Sequence, residues 1–292
     1  MPEEPIPPLA TPPEVSPEGP GETAPQADRL RFRVPLILYL LTCVSTLITA
    51  GPLYALGVMF ILTAHEAGHY LQARRYRVPA TLPYFLPMPL TPLGTMGAVI
   101  RMRAHIADRR ALFDIAITGP LAGLVPAVIL SAIGIRLSTV ADAATASEPT
   151  LMLGEPLLFK ALAAVMLEST PDDTVLLLHP LGFAGWVGIF ITALNLIPVG
   201  QLDGGHLLYA LLRRKAYPVA MGLTVAAIAM IAIRFADYWP WTLLVTLLIV
   251  LGPLHPPTAD DRVALGPGRI ILGWITLLFV VVGFTPIPLI IE

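Results

Sequence analysis

The stretch FILTAHEAGHYLQARR, residues 60–75, places two histidines and a glutamate directly after a long apolar run. That run, from Val34 to Thr63, contains no charged residue. Ionisable side chains are costly in lipid and are rarely kept there without a use. The stretch therefore predicts a chain that crosses a membrane and carries out chemistry there with His65, Glu66 and His69.

The composition is that of a polytopic membrane protein. Of the 292 residues, 55% are hydrophobic and 13% are charged, and the mean hydropathy is +0.75. A soluble domain has a charged fraction of about 25%. The sequence contains no basic stripe of the kind that indicates a nucleic-acid partner. The lone Cys43 excludes an intrachain disulfide and a cysteine-rich zinc site.

Residues 1–30 are predicted to form a disordered, Pro-rich, acidic cytoplasmic tail. The first 28 residues include nine prolines and six acidic residues but no lysine or arginine. Such a composition buries too little apolar surface to fold, and it lacks the basic start and apolar core of a signal peptide. Residues 31–292 form the predicted membrane domain, with a core at 52–212, an external loop at 136–180 and extra helices at 216–290.

Seven segments are apolar and close to the length of about 20 residues that a membrane-spanning helix needs. They lie at about 34–51, 53–72, 111–135, 181–199, 216–233, 238–254 and 270–290. With a cytoplasmic N-terminus, 15 of the 18 lysines and arginines fall on the cytoplasmic side, as the positive-inside rule requires. The predicted fold class is an all-α polytopic membrane protein with about seven transmembrane helices.

A small membrane-associated β element is predicted next to the histidines. Residues 79–104 are apolar but contain five prolines, which forbid an ordinary spanning helix. The last part of this stretch, GTMGAVIRM at 94–102, suits an extended strand with exposed edge groups. In the external loop, LLFKALAAVML at 157–167 suits a short surface helix.

The motif HEAGH has the spacing of a metal site. On a helix, His65 and His69 lie on one face and can bind the same ion. Zinc accepts neutral imidazole, and Glu66 is placed to deprotonate a water molecule. The alternative interpretation is a pair of interfacial histidines beside a glutamate that reaches toward water.

A catalytic zinc needs a third protein ligand. Asp203, in NLIPVGQLDGGH at 195–206, is the natural candidate because it follows a later apolar span. Pro198 breaks that helix, and Gly204 and Gly205 allow a tight turn. The amide of Asn195 either hydrogen-bonds the substrate carbonyl or oxyanion, or forms a helix–helix hydrogen bond.

AHEAGHY at 64–70, followed by NLIPVGQLDGGH at 195–206, resembles the site-2 protease family of intramembrane zinc metalloproteases. The resemblance covers about residues 52–212. LGTMGAVIRMR at 93–103 and RRALFDIAITGPLAG at 109–123 are similar to the plastid and prokaryotic branch of that family. Neither a PDZ domain in the external loop nor a CBS pair after the last span is expected.

The resemblance implies one zinc ion per chain, held by His65, His69 and Asp203. It also implies Glu66 as catalytic acid and base and Asn195 as support for the intermediate. It further implies that a strand near the motif pairs with an unwound substrate. Such pairing would satisfy the backbone groups that unwinding frees. The residues implied in this contact are Gly94, Thr95, Met96, Gly97 and Ala98. A structural hairpin that closes the cavity is a compatible alternative.

The predicted function is that of a zinc-dependent intramembrane endopeptidase that hydrolyses peptide bonds within or near transmembrane helices. A metal transporter or a non-proteolytic metal-binding scaffold would use the same residues. The expected partners are a transmembrane protein substrate and membrane lipid, and the oligomeric state is left open. Residues 1–28 lack the Ser/Arg-rich, acid-poor character of a transit peptide, which favours a prokaryotic cell membrane over a plastid membrane.

Overall fold

The computed structural model describes residues 24–100, 102, 107–142, 151–167, 174–238, 241–252 and 254–291. Most of the predicted tail lies outside these residues. The described chain is mainly helical, with three two-stranded antiparallel sheets. The helices are α1 (Ala24–Arg75), α2 (Arg109–Leu137), α3 (Leu157–Met166), α4 (Pro180–Asn195), α5 (Asp203–Leu212), α6 (Ala216–Ile233), α7 (Phe235–Tyr238), α8 (Trp241–Leu251) and α9 (Gly266–Gly283). The strands are β1 (Tyr84–Met88), β2 (Gly94–Val99), β3 (Thr139–Asp142), β4 (Leu151–Leu153), β5 (Thr174–Leu177) and β6 (Leu289–Ile291).

Helix α1 contains the first two predicted spans, separated by a break. Ala50 and Gly51 have non-helical backbone angles, and Gly51 has a φ of +81°. Pro52 follows, and proline has no N–H with which to continue the helical hydrogen bonds across the break. The 52 residues of α1 would exceed a bilayer as one straight helix, and the break divides them into two shorter helical segments.

Among the described residues, four helical segments are long and apolar enough to cross a membrane. They are Phe32–Arg75, Arg109–Leu137, Asp203–Ile233 and Gly266–Gly283. Helices α4 and α8 coincide with the predicted spans at 181–199 and 238–254 but have 16 and 11 residues. The last predicted span, 270–290, is shifted, because α9 ends at Gly283 ahead of two prolines at 286 and 288.

The buried core lies where α1, α2 and α4 pack together. Tyr54, Trp186 and Ile189 are at most 1% exposed and form one cluster. The outward faces remain apolar, and Leu56 and Phe60 of α1 are 70% and 62% exposed. An apolar surface of this extent is typical of a protein that contacts lipid.

The predicted β element is present as the hairpin of β1 and β2, which pair antiparallel. Its turn is held by the first two spans. Ser45 donates a hydrogen bond to the carbonyl of Gly94 at 2.6 Å, and Tyr54 donates one to the carbonyl of Leu93 at 2.5 Å. Side-chain donors from α1 thus satisfy carbonyls of an irregular segment, as non-helical backbone at membrane depth requires.

The described parts of the connection between α2 and α4 contain helix α3 and three strands. Helix α3 forms at the predicted surface segment, and its Phe159 joins the buried core. Strand β3 pairs with β5, and β4 pairs with β6 near the end of the described chain. The indole N–H of Trp186 donates to the carbonyl of Gly154 at 2.8 Å, which ties the connection to α4.

Candidate metal centre

Two histidines of α1 face the same point in the bundle. His65 and His69 are four residues apart on one helix face, and their Nε2 atoms are 3.2 Å apart. The Nδ1 of His69 lies 2.8 Å from the backbone carbonyl of Ile115 in α2. A hydrogen bond from Nδ1 to this carbonyl leaves the lone pair of Nε2 free, which is the usual arrangement of a metal-binding imidazole.

Asp203 meets these histidines because the chain leaves the helix just before it. Helix α4 ends at Asn195 and α5 begins at Asp203, and Pro198 between them cannot continue a helical ladder. The Oδ2 atom of Asp203 lies 3.2 Å from Nε2 of His65 and 3.2 Å from Nε2 of His69. Three candidate donor atoms from two distant motifs therefore converge.

The two glycines after Asp203 do not form the tight turn that the sequence predicts. They allow α5 to approach the preceding segment of the chain closely. Both lie in the first turn of α5. A Cβ atom at Gly204 would stand 1.9 Å from the carbonyl oxygen of Leu196, and one at Gly205 would stand 2.3 Å from that of Gly200. The absence of side chains lets α5 pack onto the non-helical segment that precedes it.

The donor set fits a zinc ion. Zinc held at about 2.0–2.1 Å by nitrogen and oxygen in a tetrahedral site places neighbouring donors about 3.3 Å apart. The observed separations are 3.2 Å. His65 and His69 are buried, as two neutral ligands can be, and Asp203 supplies a balancing charge. Within the described ranges, no second group of three His, Cys, Asp or Glu side chains could hold a metal ion.

Glu66 and Asn195 border the same cavity as the three donors. Glu66 is 3% exposed and follows His65 directly on α1. The Nδ2 atom of Asn195 lies 3.5 Å from Nε2 of His65. The cavity therefore combines a carboxylate that can accept a proton with an amide that can donate a hydrogen bond, both beside the candidate metal position.

Strand β2 contributes its C-terminal end to this cavity. Ala98, Val99 and the following Ile100 line it. Ala98 pairs with Phe85 of β1, and Val99 pairs with Tyr84. The isolated bridge between residues 80 and 102 continues this pairing beyond the hairpin. The hairpin therefore brings extended backbone to the wall of the cavity.

Of the five residues predicted to contact substrate, Ala98 is the one that borders the cavity. Gly94 and Thr95 are buried, and a Cβ atom at Gly94 would stand 2.6 Å from Oγ1 of a threonine in α1. Met96 is 38% exposed, and Gly97 has a φ of +89°. The first part of the strand thus anchors the hairpin, and the last part reaches the site.

Glycines of α2 make room for the histidines, a role more specific than the close helix packing that the sequence predicts for Gly119 and Gly123. A Cβ atom at Gly119 would stand 2.0 Å from Nε2 of His69, and one at Gly123 would stand 2.9 Å from Cβ of His65. The signal in the sequence is their spacing of four residues within an apolar helix, which is typical of close helix packing. It indicates a contact but does not name the partner.

The chain is similar to zinc metalloproteases of plants. It is 34% identical over 239 residues to the probable zinc metalloprotease EGY1, chloroplastic, of Arabidopsis thaliana, across 80% of this chain and 42% of that protein. It is 30% identical over 209 residues to the probable zinc metalloprotease EGY2, chloroplastic, of the same species, across 69% and 36%. This chain thus spans about two fifths of the length of these relatives. No solved structure gives a significant match.

These relatives contradict the predicted location. The prediction of a prokaryotic cell membrane rests on the composition of residues 1–28, and it is wrong, because the matched relatives are chloroplastic. They point to a plastid membrane. The helices that span either membrane obey the same physical requirements. They therefore do not distinguish the two membranes, and the prediction depended on the composition of the tail alone.

The strongest comparison covers the site itself. The profile of Peptidase family M50 matches residues 53–235. This range includes both motifs, the hairpin and α2, and it amounts to more than half of the chain. The chain therefore belongs to Peptidase family M50, the site-2 protease family that its two motifs resemble.

Proposed function

We propose that this chain is a zinc-dependent endopeptidase that hydrolyses peptide bonds within or near transmembrane helices of membrane proteins. The observation that carries the proposal is the convergence of His65, His69 and Asp203, with donor atoms 3.2 Å apart, inside an apolar helical bundle. Membership of Peptidase family M50 supports the same activity. A metal site without the Glu66 carboxylate in its wall would instead favour a protein that binds the metal without catalysing hydrolysis.

His65, His69 and Asp203 would hold the metal ion. Zinc, when bound there, supplies a Lewis acid that polarises a carbonyl and lowers the pKa of a water molecule. The carboxylate of Glu66 accepts the proton of the attacking water and delivers it to the nitrogen of the leaving amine. The burial of Glu66 supports this role, because a dry wall excludes bulk water as a competing proton acceptor.

Asn195 is proposed to stabilise the charge that develops on the substrate oxygen. Its position in the cavity wall and the 3.5 Å between its Nδ2 and Nε2 of His65 support this role. An amide aimed at a developing oxyanion favours the transition state over the ground state. A purely structural helix–helix hydrogen bond is the alternative, and it predicts loss of stability instead of loss of turnover.

The substrate is proposed to unwind and to pair with the C-terminal end of β2. A peptide bond in a helix is shielded by its own hydrogen bonds, so unwinding has to precede attack. Pairing with a strand satisfies the freed backbone groups. The presence of Ala98, Val99 and Ile100 in the cavity wall supports contact at this end of the strand. A larger side chain at Ala98 is expected to obstruct substrate while leaving zinc binding intact.

The chain is proposed to cross a plastid membrane seven times, with lipid and a membrane-protein substrate as its partners. The two segments of α1, together with α2, α4, α6, α8 and α9, would supply the seven crossings. Residues 1–30 would form a tail and residues 31–292 the protease domain, with its core at 52–212. The chloroplastic location of the relatives supports the choice of membrane.

The test combines zinc content with cleavage of a transmembrane peptide by the purified chain. About one zinc ion per chain is expected, and both His65→Ala and Asp203→Ala should lose or weaken it. Glu66→Gln should keep the zinc and lose at least about 100-fold in cleavage rate. The control is Glu155→Gln, because Glu155 is a surface carboxylate paired with Lys160 at 3.6 Å. It should keep both properties.

Two outcomes would contradict this proposal. Full cleavage by Glu66→Gln would refute the mechanism. Zinc flux through proteoliposomes that is equal with and without Glu66 would favour a transporter. The three donors, Glu66 and Asn195 border one cavity in the described part of the chain, and this clustering supports the protease.

A further inference from the structure

Arg109, the first residue of α2, connects this helix to the helix that carries Asp203. Its side chain is inside the protein, with the residue 8% exposed. The Nε atom donates to the carbonyl of Ala210 at 2.6 Å, and an Nη atom donates to the carbonyl of Leu211 at 3.1 Å. Both carbonyls belong to the last turn of α5, the helix that begins with Asp203.

This contact reaches the metal site through a short rigid helix. α5 has ten residues and is therefore about 14 Å long. The last four carbonyls of a helix have no partner within it, and a cation at this end also complements the helix dipole. Because the guanidinium is a planar fork, two carbonyls bound to it fix the position of the helix end. The start of the helix, where the carboxylate lies, moves with that end.

A loop after α8 covers the other side of the guanidinium. The second Nη atom of Arg109 donates to the carbonyl of Val263 at 3.3 Å. Two backbone hydrogen bonds join the same loop to the start of α2, from Arg109 to Asp260 at 3.2 Å and from Ala259 to Ala107 at 2.9 Å. The loop lies outside the range matched by the family profile. It shields the contact from water, so each hydrogen bond is stronger than on the surface.

We propose that Arg109 is a positioning residue that places the Asp203 carboxylate at the metal site. The same helix holds His69 through the carbonyl of Ile115. α2 would therefore align both motifs, one through its first residue and the other about two turns later. The inference rests on the proposed zinc function, and it assigns no contact between Arg109 and the ion or the substrate.

Zinc affinity of the purified full chain, measured by competition with a chelator, tests the proposal. Arg109→Met should weaken zinc binding by about 10- to 100-fold, the usual effect of removing a group that orients a ligand. Arg109→Lys keeps the charge but loses the fork, so a smaller loss is expected. The matched control is Arg110→Met, since Arg110 is the neighbouring arginine, is exposed and donates to the carbonyl of Ala264 in the same loop at 3.2 Å. It should leave the affinity unchanged.

A double-mutant cycle separates positioning from general destabilisation. If Arg109 acts through Asp203, adding Arg109→Met to Asp203→Ala should cause no further loss of zinc affinity. An equal further loss, or wild-type affinity in Arg109→Met, would overturn the inference. If Arg109→Met does not fold, Arg109→Lys serves in the same cycle. Failure of the wild-type chain to bind zinc would instead reject the proposed function itself.

Discussion

Substitution of Gly119 by alanine gives a direct test of how α2 shapes the metal site. The added Cβ atom would stand 2.0 Å from Nε2, 2.3 Å from Cδ2 and 2.4 Å from Cε1 of His69. Ordinary van der Waals contact begins at 3.4 Å, so the imidazole has to move by about 1.4 Å, the difference between 3.4 and 2.0 Å. A metal–ligand distance tolerates about 0.2 Å. The Nε2 atom would therefore leave the coordination sphere.

A graded series of glycine substitutions sets the expected size of the effect. Gly119→Ala should reduce zinc affinity at least about 100-fold, because a ligand is displaced. Gly123→Ala meets Cβ of His65 at 2.9 Å and Nδ1 at 3.1 Å. Clearing the contact with Cβ needs a shift of about 0.5 Å, the difference between 3.4 and 2.9 Å, which is less than half of the shift at His69, so a smaller loss than in Gly119→Ala is expected. Gly222→Ala in α6 meets no atom within 4 Å and should leave the affinity unchanged.

The assay is zinc per chain after gel filtration, followed by competition with a chelator, for the three variants and the wild type. Thermal unfolding in excess chelator reports whether each variant is folded without metal. Wild-type zinc affinity in Gly119→Ala would refute the geometric argument. An equal loss in Gly119→Ala and Gly222→Ala would show that the loss does not come from the contact with His69, because a Cβ at Gly222 contacts no atom.

Three further predictions concern turnover, substrate binding and pH. Asn195→Ala should lower kcat about 100- to 1,000-fold at unchanged zinc content, as for other oxyanion donors, and steady-state kinetics with zinc analysis would check this. Ser45→Ala removes the hydrogen bond to the carbonyl of Gly94 and loosens the anchored end of β2. It should therefore raise KM with little change in zinc content, and an unchanged KM would contradict this. Burial lowers the pKa of His255 to about 3. Because its unfolded pKa is about 6.5, the folded state should lose stability as pH falls from about 6.5 toward 3, and His255→Phe should flatten this part of the unfolding curve.

Much of the fold could be predicted from local signals. Charge-free runs predict membrane helices, and the helices observed in the described residues overlap the predicted segments, except for α5, which no predicted segment includes. The five prolines of 79–104 exclude a helix, and the hairpin of β1 and β2 is found there. Helix ends do not follow from the apolar runs. α4 and α8 are shorter than their apolar runs, because hydropathy reports solubility in lipid and does not mark where backbone hydrogen bonds stop.

The amino-acid sequence alone was sufficient to predict the family, the helical membrane architecture and the candidate donors His65, His69 and Asp203. It did so because ionisable residues in apolar runs are costly and because helical spacing is a local rule. The three-dimensional packing was needed to show that donors from residues 65 and 203 lie 3.2 Å apart, that Gly119 leaves room for His69 and that Arg109 holds the end of α5. These features depend on contacts between segments far apart in the chain, and the geometry of such packing is set by the whole bundle and not by the spacing of neighbouring residues.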